Sequence, residues 1–270
     1  MSSYDVAVLA GDGIGPEVTD EAFKVVDAAA SAFGFEIKKN VLDLGTERWL
    51  KTKDIFPEAD FNAVKDNDAI YLGAIGDPRA PVGLMEYGII AKLRFDLDLY
   101  INLRPIKLYD ERMCPLKGKG VEDIDMLIIR ENTEDAYTGM HGFAHKGQPL
   151  EVATQTMVYT REGVERAIRY AFHLAETRER PAGREAQVTL IDKANAIRAH
   201  DLWQRTFAEV AKEHPNIKTD HAYIDAACMW MVKNPEWFDV AVTPNLFGDI
   251  ITDLGAMIQG GMGMAASGNI

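Results

Sequence analysis

Apolar and polar positions along this chain switch between two periods. Short apolar runs at residues 4–9, 35–42, 69–73, 126–130, 187–191 and 240–242 predict buried strands, and residues 100–107 and 219–224 read as extended. Between them, residues 16–32, 61–65, 87–97, 160–176, 199–213, 226–233 and 250–258 carry helical spacing. In the first of these, Val18, Ala22, Val25, Val26 and Ala29 share a face, and Pro16 stands where a helix favours proline. The alternation predicts an α/β fold. Residues 139–159 break the rhythm. Gly139, Gly142, Gly147 and Pro149 precede a β-prone alternating run, so this stretch predicts a loop and a projecting hairpin, either a dimerisation arm or a plain surface hairpin. A boundary is expected near residue 100, where the helix–strand rhythm changes.

At 270 residues and 47% hydrophobic composition, the chain can bury a large core in one big domain or two smaller ones. Its net charge of −13 and the lack of any dense Lys/Arg cluster speak against nucleic acid as a partner. No run approaches the ~18 apolar residues of a membrane span, and the N-terminus lacks the basic-then-apolar order of a signal peptide. Two cysteines, Cys114 and Cys228, are too few for a disulfide framework. They are expected as buried small hydrophobes in a reducing, cytoplasmic setting. An acidic protein that handles an acidic substrate must gather positive charge locally, which makes the placement of its arginines informative.

The densest candidate chemistry lies in Asn245-Leu246-Phe247-Gly248-Asp249-Ile250-Ile251-Thr252-Asp253. A helix starting near Phe247 would put Asp249 and Asp253 on one face, one turn apart, as half of a hard-cation site. Asp225 opens a predicted helix and reads either as its N-cap or as a third carboxylate for that cation. Arg94, Arg104 and Arg130 stand at or near element ends and suit a carboxylate clamp. Lys193 follows an apolar strand, where partial desolvation would fit it for proton transfer, and Tyr137 could donate a proton. Gly11-Asp12-Gly13-Ile14-Gly15 precedes a helix and leaves open either a ligand-facing loop or a tight turn. Its spacing is not that of the G-x-G-x-x-G fingerprint. The histidines show no metal-ligand spacing.

Taken together, these segments resemble the β-decarboxylating dehydrogenases, the isocitrate/3-isopropylmalate/tartrate dehydrogenase family. The resemblance runs through Leu9-Ala10-Gly11-Asp12-Gly13-Ile14-Gly15-Pro16-Glu17-Val18, Leu72-Gly73-Ala74-Ile75-Gly76, Leu93-Arg94, Asn102-Leu103-Arg104-Pro105, Arg130-Glu131-Asn132-Thr133-Glu134, Asp192-Lys193-Ala194-Asn195 and Asn245 to Asp253. It implies a two-domain fold distinct from the Rossmann type. Residues 1–102 plus 254–270 would form an incomplete cofactor-side domain, and residues 103–253 a central domain for substrate, metal and dimerisation. It also implies that the first domain's sheet is completed by a segment that family members carry past the position of Ile270.

The activity implied is metal-dependent, NAD(P)-linked oxidative decarboxylation of a 2-hydroxy dicarboxylate in a homodimer with shared sites. By resemblance Arg94, Arg104 and Arg130 hold carboxylates. Asp249 and Asp253 bind Mg²⁺ or Mn²⁺ with Asp225 of the partner subunit, Lys193 from the partner takes the hydroxyl proton, and Tyr137 helps protonate the enol. Ile14, Gly73, Ile75, Gly76 and Asn195 are expected at the cofactor, NAD rather than NADP being the working choice. Gly88 and Ile90 stand where isocitrate enzymes carry Ser and Asn, so an apolar wall at Ile90 favours the branched tail of 3-isopropylmalate. Arg79 could instead meet an extra carboxylate, and tartrate, D-malate and a truncated regulatory form remain alternatives. Asp135 stands where the family usually has Gly, and its charge is expected to raise the pKa of Tyr137.

Overall fold

The first apolar run becomes the central strand of a small parallel sheet. In the computed structural model, which describes residues 2–270, β1 (Ser2–Gly11) lies between β2 (Phe35–Val41) and β3 (Ala69–Ala74), both parallel to it. α1 (Gly15–Phe33) makes the first crossover and ends at Gly34, whose φ of 74° is the left-handed cap that glycine adopts freely. α2 (Thr46–Thr52) and α3 (Glu58–Lys65) follow. The expected helix 87–97 divides into a wide π turn, Glu86–Ala91, and a short α4 (Lys92–Asp96). Ala7, Leu9, Val64, Met85, Ile89 and Leu93 form the core of this part. α2 was not foreseen, because seven residues hold too few turns for a periodic signal.

Contacts gather into two units, one running to Asp98 and the other Leu99–Ile270. The second is built on a six-stranded mixed sheet. Its strands are β4 (Ile101–Lys107), β5 (Asp125–Glu131), β8 (Gln187–Asp192), β9 (Lys218–Tyr223), β10 (Val240–Thr243) and β11 (Gly268–Asn269), in the order β11-β4-β5-β10-β8-β9. β4 runs antiparallel to its neighbours β11 and β5, while β5, β10, β8 and β9 are parallel to one another. One face packs on α5 (Arg161–Thr177) and α6 (Asp201–Ala211) through Ile129, Val188, Val242, Phe172 and Trp203. The other packs on α7 (Ile224–Lys233) and α8 (Asn245–Ile258) through Ile128, Ile191, Ala241, Met231 and Ile251. Burial on both faces explains the continuous apolar runs in the sequence.

Four expectations change. Residues 254–270 do not return to the first unit: α8 continues unbroken to Ile258, which is buried in the second unit's core, and β11 pairs with β4. α8 starts at Asn245, directly after Pro244, two residues before the start near Phe247 on which the Asp249/Asp253 pairing rested and ahead of the periodic stretch 250–258. The hairpin consists of β6 (His141–Ala144) and β7 (Val152–Gln155), exposed along most of its length, with Phe143, Leu150 and Val152 open to solvent. Beyond it Val158 bridges to Asp135 instead of extending the strand. Both cysteines are free and half-buried at the edge of the α7/α8 cluster, not fully enclosed. No described helix is long and apolar enough to cross a membrane.

Candidate active site

Strand alternation aims the first functional side chain. Ile128 faces α7 and α8 and Ile129 faces α5 and α6, so Arg130 at the end of β5 returns to the α8 side. It is 1% exposed. Its stem passes Gly248 of α8, where a Cβ would come within 2.5 Å of Arg130 Cγ, so only glycine admits it without a shift. Its Nε donates to Asn245 Oδ1 at 2.9 Å, and its Nη1 donates to Asp249 Oδ1. The guanidinium lies 5.5 Å from the Tyr137 ring centroid. Tyr137 donates its hydroxyl to Asp249 Oδ2 at 3.0 Å.

These partners set the electrostatics. Burial, then the Asp249 charge, pushes the Tyr137 phenol up to about 12, with Arg130 opposing. Asp135 adds to the rise, in the direction expected from sequence, but less than burial does. Arg104 on β4 is half-buried. Burial and then the Arg130 charge lower its pKa, while Asp249 and Asp253 oppose the change. Its Nε donates to Asn102 Oδ1 at 2.5 Å. Arg104, Arg130, Asp249 and Asp253 therefore share one electrostatic neighbourhood.

Asp249 and Asp253 lie one turn apart on α8, where Asp253 is exposed. Their hard oxygen donors fit Mg²⁺ or Mn²⁺, which take carboxylates with water completing the shell. Asp225 is not with them. It sits in the first turn of α7, where its Oδ1 accepts from Lys193 Nζ at 2.5 Å, and this bond holds its carboxyl below the usual range. Nor does it cap α7, whose cap position is Tyr223. Among the described residues, no group of three or more His, Cys, Asp or Glu is placed to hold a metal ion. The three-acid set is thus not assembled within one chain.

Lys193 and the exposed Asn195 occupy the loop after β8. The backbone there is held by buried side chains: Lys193 N donates to His200 Nδ1 at 3.0 Å and Ala194 N to Asp192 Oδ1 at 3.1 Å.

The remaining sequence candidates lie in the first unit. Gly11, at φ 77°, and Gly73 leave no room for a Cβ, which would meet Ala74 O at 2.0 Å and Ala10 O at 2.3 Å respectively. The glycines thus serve close packing of the β1 and β3 ends. Asp12 ties that turn to its surroundings, accepting from Thr46 N at 2.7 Å, Thr46 Oγ1 at 3.0 Å and Gly76 N at 3.1 Å. Ile14, 61% exposed, precedes α1, whose first turn has no side-chain cap and where Gly15 N donates to Asp12 O at 2.8 Å. Ile90 is half-buried in the π turn, a local form often found at functional sites, and Arg94 is half-buried on α4. Gly88 packs on Ile55, where a Cβ would lie 2.5 Å from Cγ2. Arg79 is held by Asp77, at 2.9 and 2.7 Å, and by Glu47 at 2.6 Å.

Reading the sequence missed three positioning residues: Asn102, Asn245 and Asp12. Each is a buried polar side chain next to an apolar strand, and that placement was the available signal.

The family described as isocitrate/isopropylmalate dehydrogenase matches residues 5–270. The chain is 49% identical over 266 residues to a 3-isopropylmalate dehydrogenase of Thermobifida fusca, covering 98% of this chain and 74% of that protein. It is 49% identical over 267 residues to a 3-isopropylmalate dehydrogenase of Corynebacterium efficiens, covering 98% and 75%. Among solved structures, an isocitrate dehydrogenase from Methylococcus capsulatus superposes with a TM-score of 0.85 at 34% identity, covering 99% of this chain and 74% of that one. An apo β-decarboxylating dehydrogenase from Thermococcus kodakarensis gives 0.75 at 32%, covering 99% and 72%.

Proposed function

This chain belongs to the isocitrate/isopropylmalate dehydrogenase family, and on that premise we propose that it carries out the metal-dependent, NAD(P)-linked oxidative decarboxylation of a 3-substituted malate, 3-isopropylmalate. The observation that carries the reading is the Arg130–Asp249–Tyr137 constellation: a buried cation, a carboxylate and a protonated phenol on adjoining elements. In the second unit Arg104 and Arg130 are carboxylate partners; in the first, Arg94 is suited to a carboxylate and Ile90 to an apolar tail. Residues up to about 98 form the cofactor side, with Ile14, Gly73, Ile75 and Gly76 toward the dinucleotide. In the second unit, Asn195 of the Lys193 loop is assigned a cofactor contact of its own.

The chemistry follows from the placement of charge. Lys193 would take the proton of the substrate C2 hydroxyl, and a bound NAD(P)⁺ would supply the acceptor for the C2 hydride. The β-keto acid so formed loses its 3-carboxylate as CO₂, and Tyr137 then supplies a proton to the enol. A phenol pushed up to about 12 stays protonated at neutral pH and so is available as a donor. Asp249 and Asp253, with Asp225 of a second chain, would hold Mg²⁺ or Mn²⁺. When bound, the ion supplies Lewis-acid stabilisation of the developing negative charge. Asp225 and Lys193 pair with each other, and no group of three acids forms among the described residues, so both are assigned to the site of a symmetry-related chain in a homodimer.

Two observations favour an apolar tail over an extra carboxylate. A serine at position 88 would bring its Cβ into Ile55, and the Arg79 charge is already matched by Asp77 and Glu47. Steady-state rates with 3-isopropylmalate, D-malate, tartrate and isocitrate, each with NAD⁺ or NADP⁺ and Mn²⁺, test the reading. Turnover of isocitrate alone would overturn the substrate, and undiminished turnover by Asp249→Asn in the presence of a chelator would overturn the metal site.

A further inference from the structure

Three side chains, the buried His200 and Asp135 and the half-buried Tyr159, run in line between the Lys193 loop and the turn that carries Tyr137. At one end, the Lys193 backbone N–H donates to His200 Nδ1 at 3.0 Å. His200 Nε2 meets the Tyr159 hydroxyl at 3.0 Å, and that hydroxyl donates to Asp135 Oδ1 at 2.8 Å. At the other end, Asp135 Oδ2 accepts from Leu246 N at 3.0 Å in the first turn of α8, and Oδ1 also accepts from Ala136 N at 2.8 Å. His200 and Asp135 are both 0% exposed.

One proton arrangement satisfies the whole line. A backbone N–H can only donate, so Nδ1 is the acceptor and the imidazole proton lies on Nε2. Nε2–H donates to the Tyr159 oxygen, whose own proton goes to the Asp135 carboxylate. Desolvation favours the same arrangement, lowering the His200 pKa and raising that of Tyr159, so both stay neutral. The ring of His200 is fixed by edge contacts with Tyr159, at 5.1 Å between centroids, and with Phe247, at 5.6 Å. Asp135 holds a left-handed backbone, φ 70°, that side chains other than glycine disfavour. Such a conformation persists when its surroundings over-determine it, and here the side chain secures two segments at once.

We propose that Asp135, Tyr159 and His200 act as positioning residues that lock the Lys193 loop, the Tyr137 turn and the start of α8 into one register. This rests on the roles given above to Lys193, Tyr137 and Asp249. The three residues touch no reacting atom. They fix the backbone from which the base, the acid and the metal-binding carboxylates project.

Tyr159→Phe removes one oxygen and keeps the packed ring. Amide hydrogen exchange of the substrate-free variant should speed up about ten-fold at both Lys193 and Leu246, with Ile129 in the core unchanged. For 3-isopropylmalate, kcat should fall about ten-fold while KM stays within about two-fold. His200→Asn keeps an acceptor for the Lys193 N–H but falls short of Tyr159. It should lose as much kcat as Tyr159→Phe, and the double variant no more than either, because the same link is cut. Faster exchange at one end alone, multiplied losses in the double variant, or unchanged kcat with only a lowered melting temperature would each overturn the proposal. Exchange needs no substrate. If the unaltered protein fails to turn over 3-isopropylmalate, the proposed function falls and the exchange pattern still decides the locking.

Discussion

The Tyr137 hydroxyl donates to Asp249 Oδ2 at 3.0 Å, on the carboxylate whose other oxygen accepts from Arg130. Both oxygens of the first metal-binding candidate are therefore engaged before any cation arrives. A cation binding at Asp249 must displace or share these donors, which would connect the proposed acid, clamp and metal site energetically.

Tyr137→Phe separates two roles of one hydroxyl. Removing a competing hydrogen bond worth about 1 kcal/mol should tighten Mn²⁺ binding to the substrate-free protein by about five-fold. Losing the proton donor should lower kcat by about 10²-fold. Mn²⁺ titration beside steady-state kinetics checks this pair of opposite changes, and weaker metal binding would contradict it.

Gly248→Ala tests the seating of Arg130. The added Cβ would lie 2.5 Å from Arg130 Cγ and 2.6 Å from its Cβ, both in a buried side chain with little room to yield. A stability loss of about 1–3 kcal/mol is expected in urea unfolding, as for other overpacked cores. KM for the hydroxy acid should rise as the guanidinium shifts.

A shared site predicts complementation. Lys193→Met and Asp249→Asn should each lower activity by about 10²-fold or more as homodimers. Unfolded together and refolded, they should recover about a quarter of unaltered activity, because half of randomly paired dimers carry one intact site of two. No recovery in verified mixed dimers would place Lys193 and Asp249 in the same chain's site.

Glu131 introduces a pH dependence of stability. It is buried at the end of β5, accepting from Thr133 N at 2.7 Å, Thr133 Oγ1 at 2.8 Å and Glu134 N at 3.0 Å. Burial outweighs these bonds and pushes its carboxyl from 4.5 up to about 7. The folded protein thus holds this proton more tightly than the unfolded chain does. Its contribution is fully present below about pH 4.5 and lost as pH rises through about 7, a change of about 3 kcal/mol. Urea unfolding of the protein and of Glu131→Gln from pH 4.5 to 8 should show the difference drifting by that amount against the protein with Glu131. A constant difference would refute the shift.

Most strands and long helices were legible because burial on both faces writes a continuous apolar run and a helix writes a 3.6-residue stripe. Arg130 and the Asp249/Asp253 pair were legible for the same reason, since strand and helix periods fix which face a side chain takes. The short α2, the π turn Glu86–Ala91 and the early start of α8 were not, because each spans too few residues for a period to show. His200 was passed over because its partners, the Lys193 backbone and Tyr159, are 7 and 41 residues away. No local spacing rule reaches that far.

By itself the sequence determined the α/β class, the family and the residue types available for chemistry, since these depend on local periodicity and on side-chain identity at matched positions. Only the tertiary structure decided that Asp225 pairs with Lys193 rather than joining Asp249, that Arg79 is already neutralised, and that residues 254–270 pack with the second unit. Those outcomes turn on which distant groups come within hydrogen-bonding range. Chain collapse sets that distance, and it leaves no trace in local pattern.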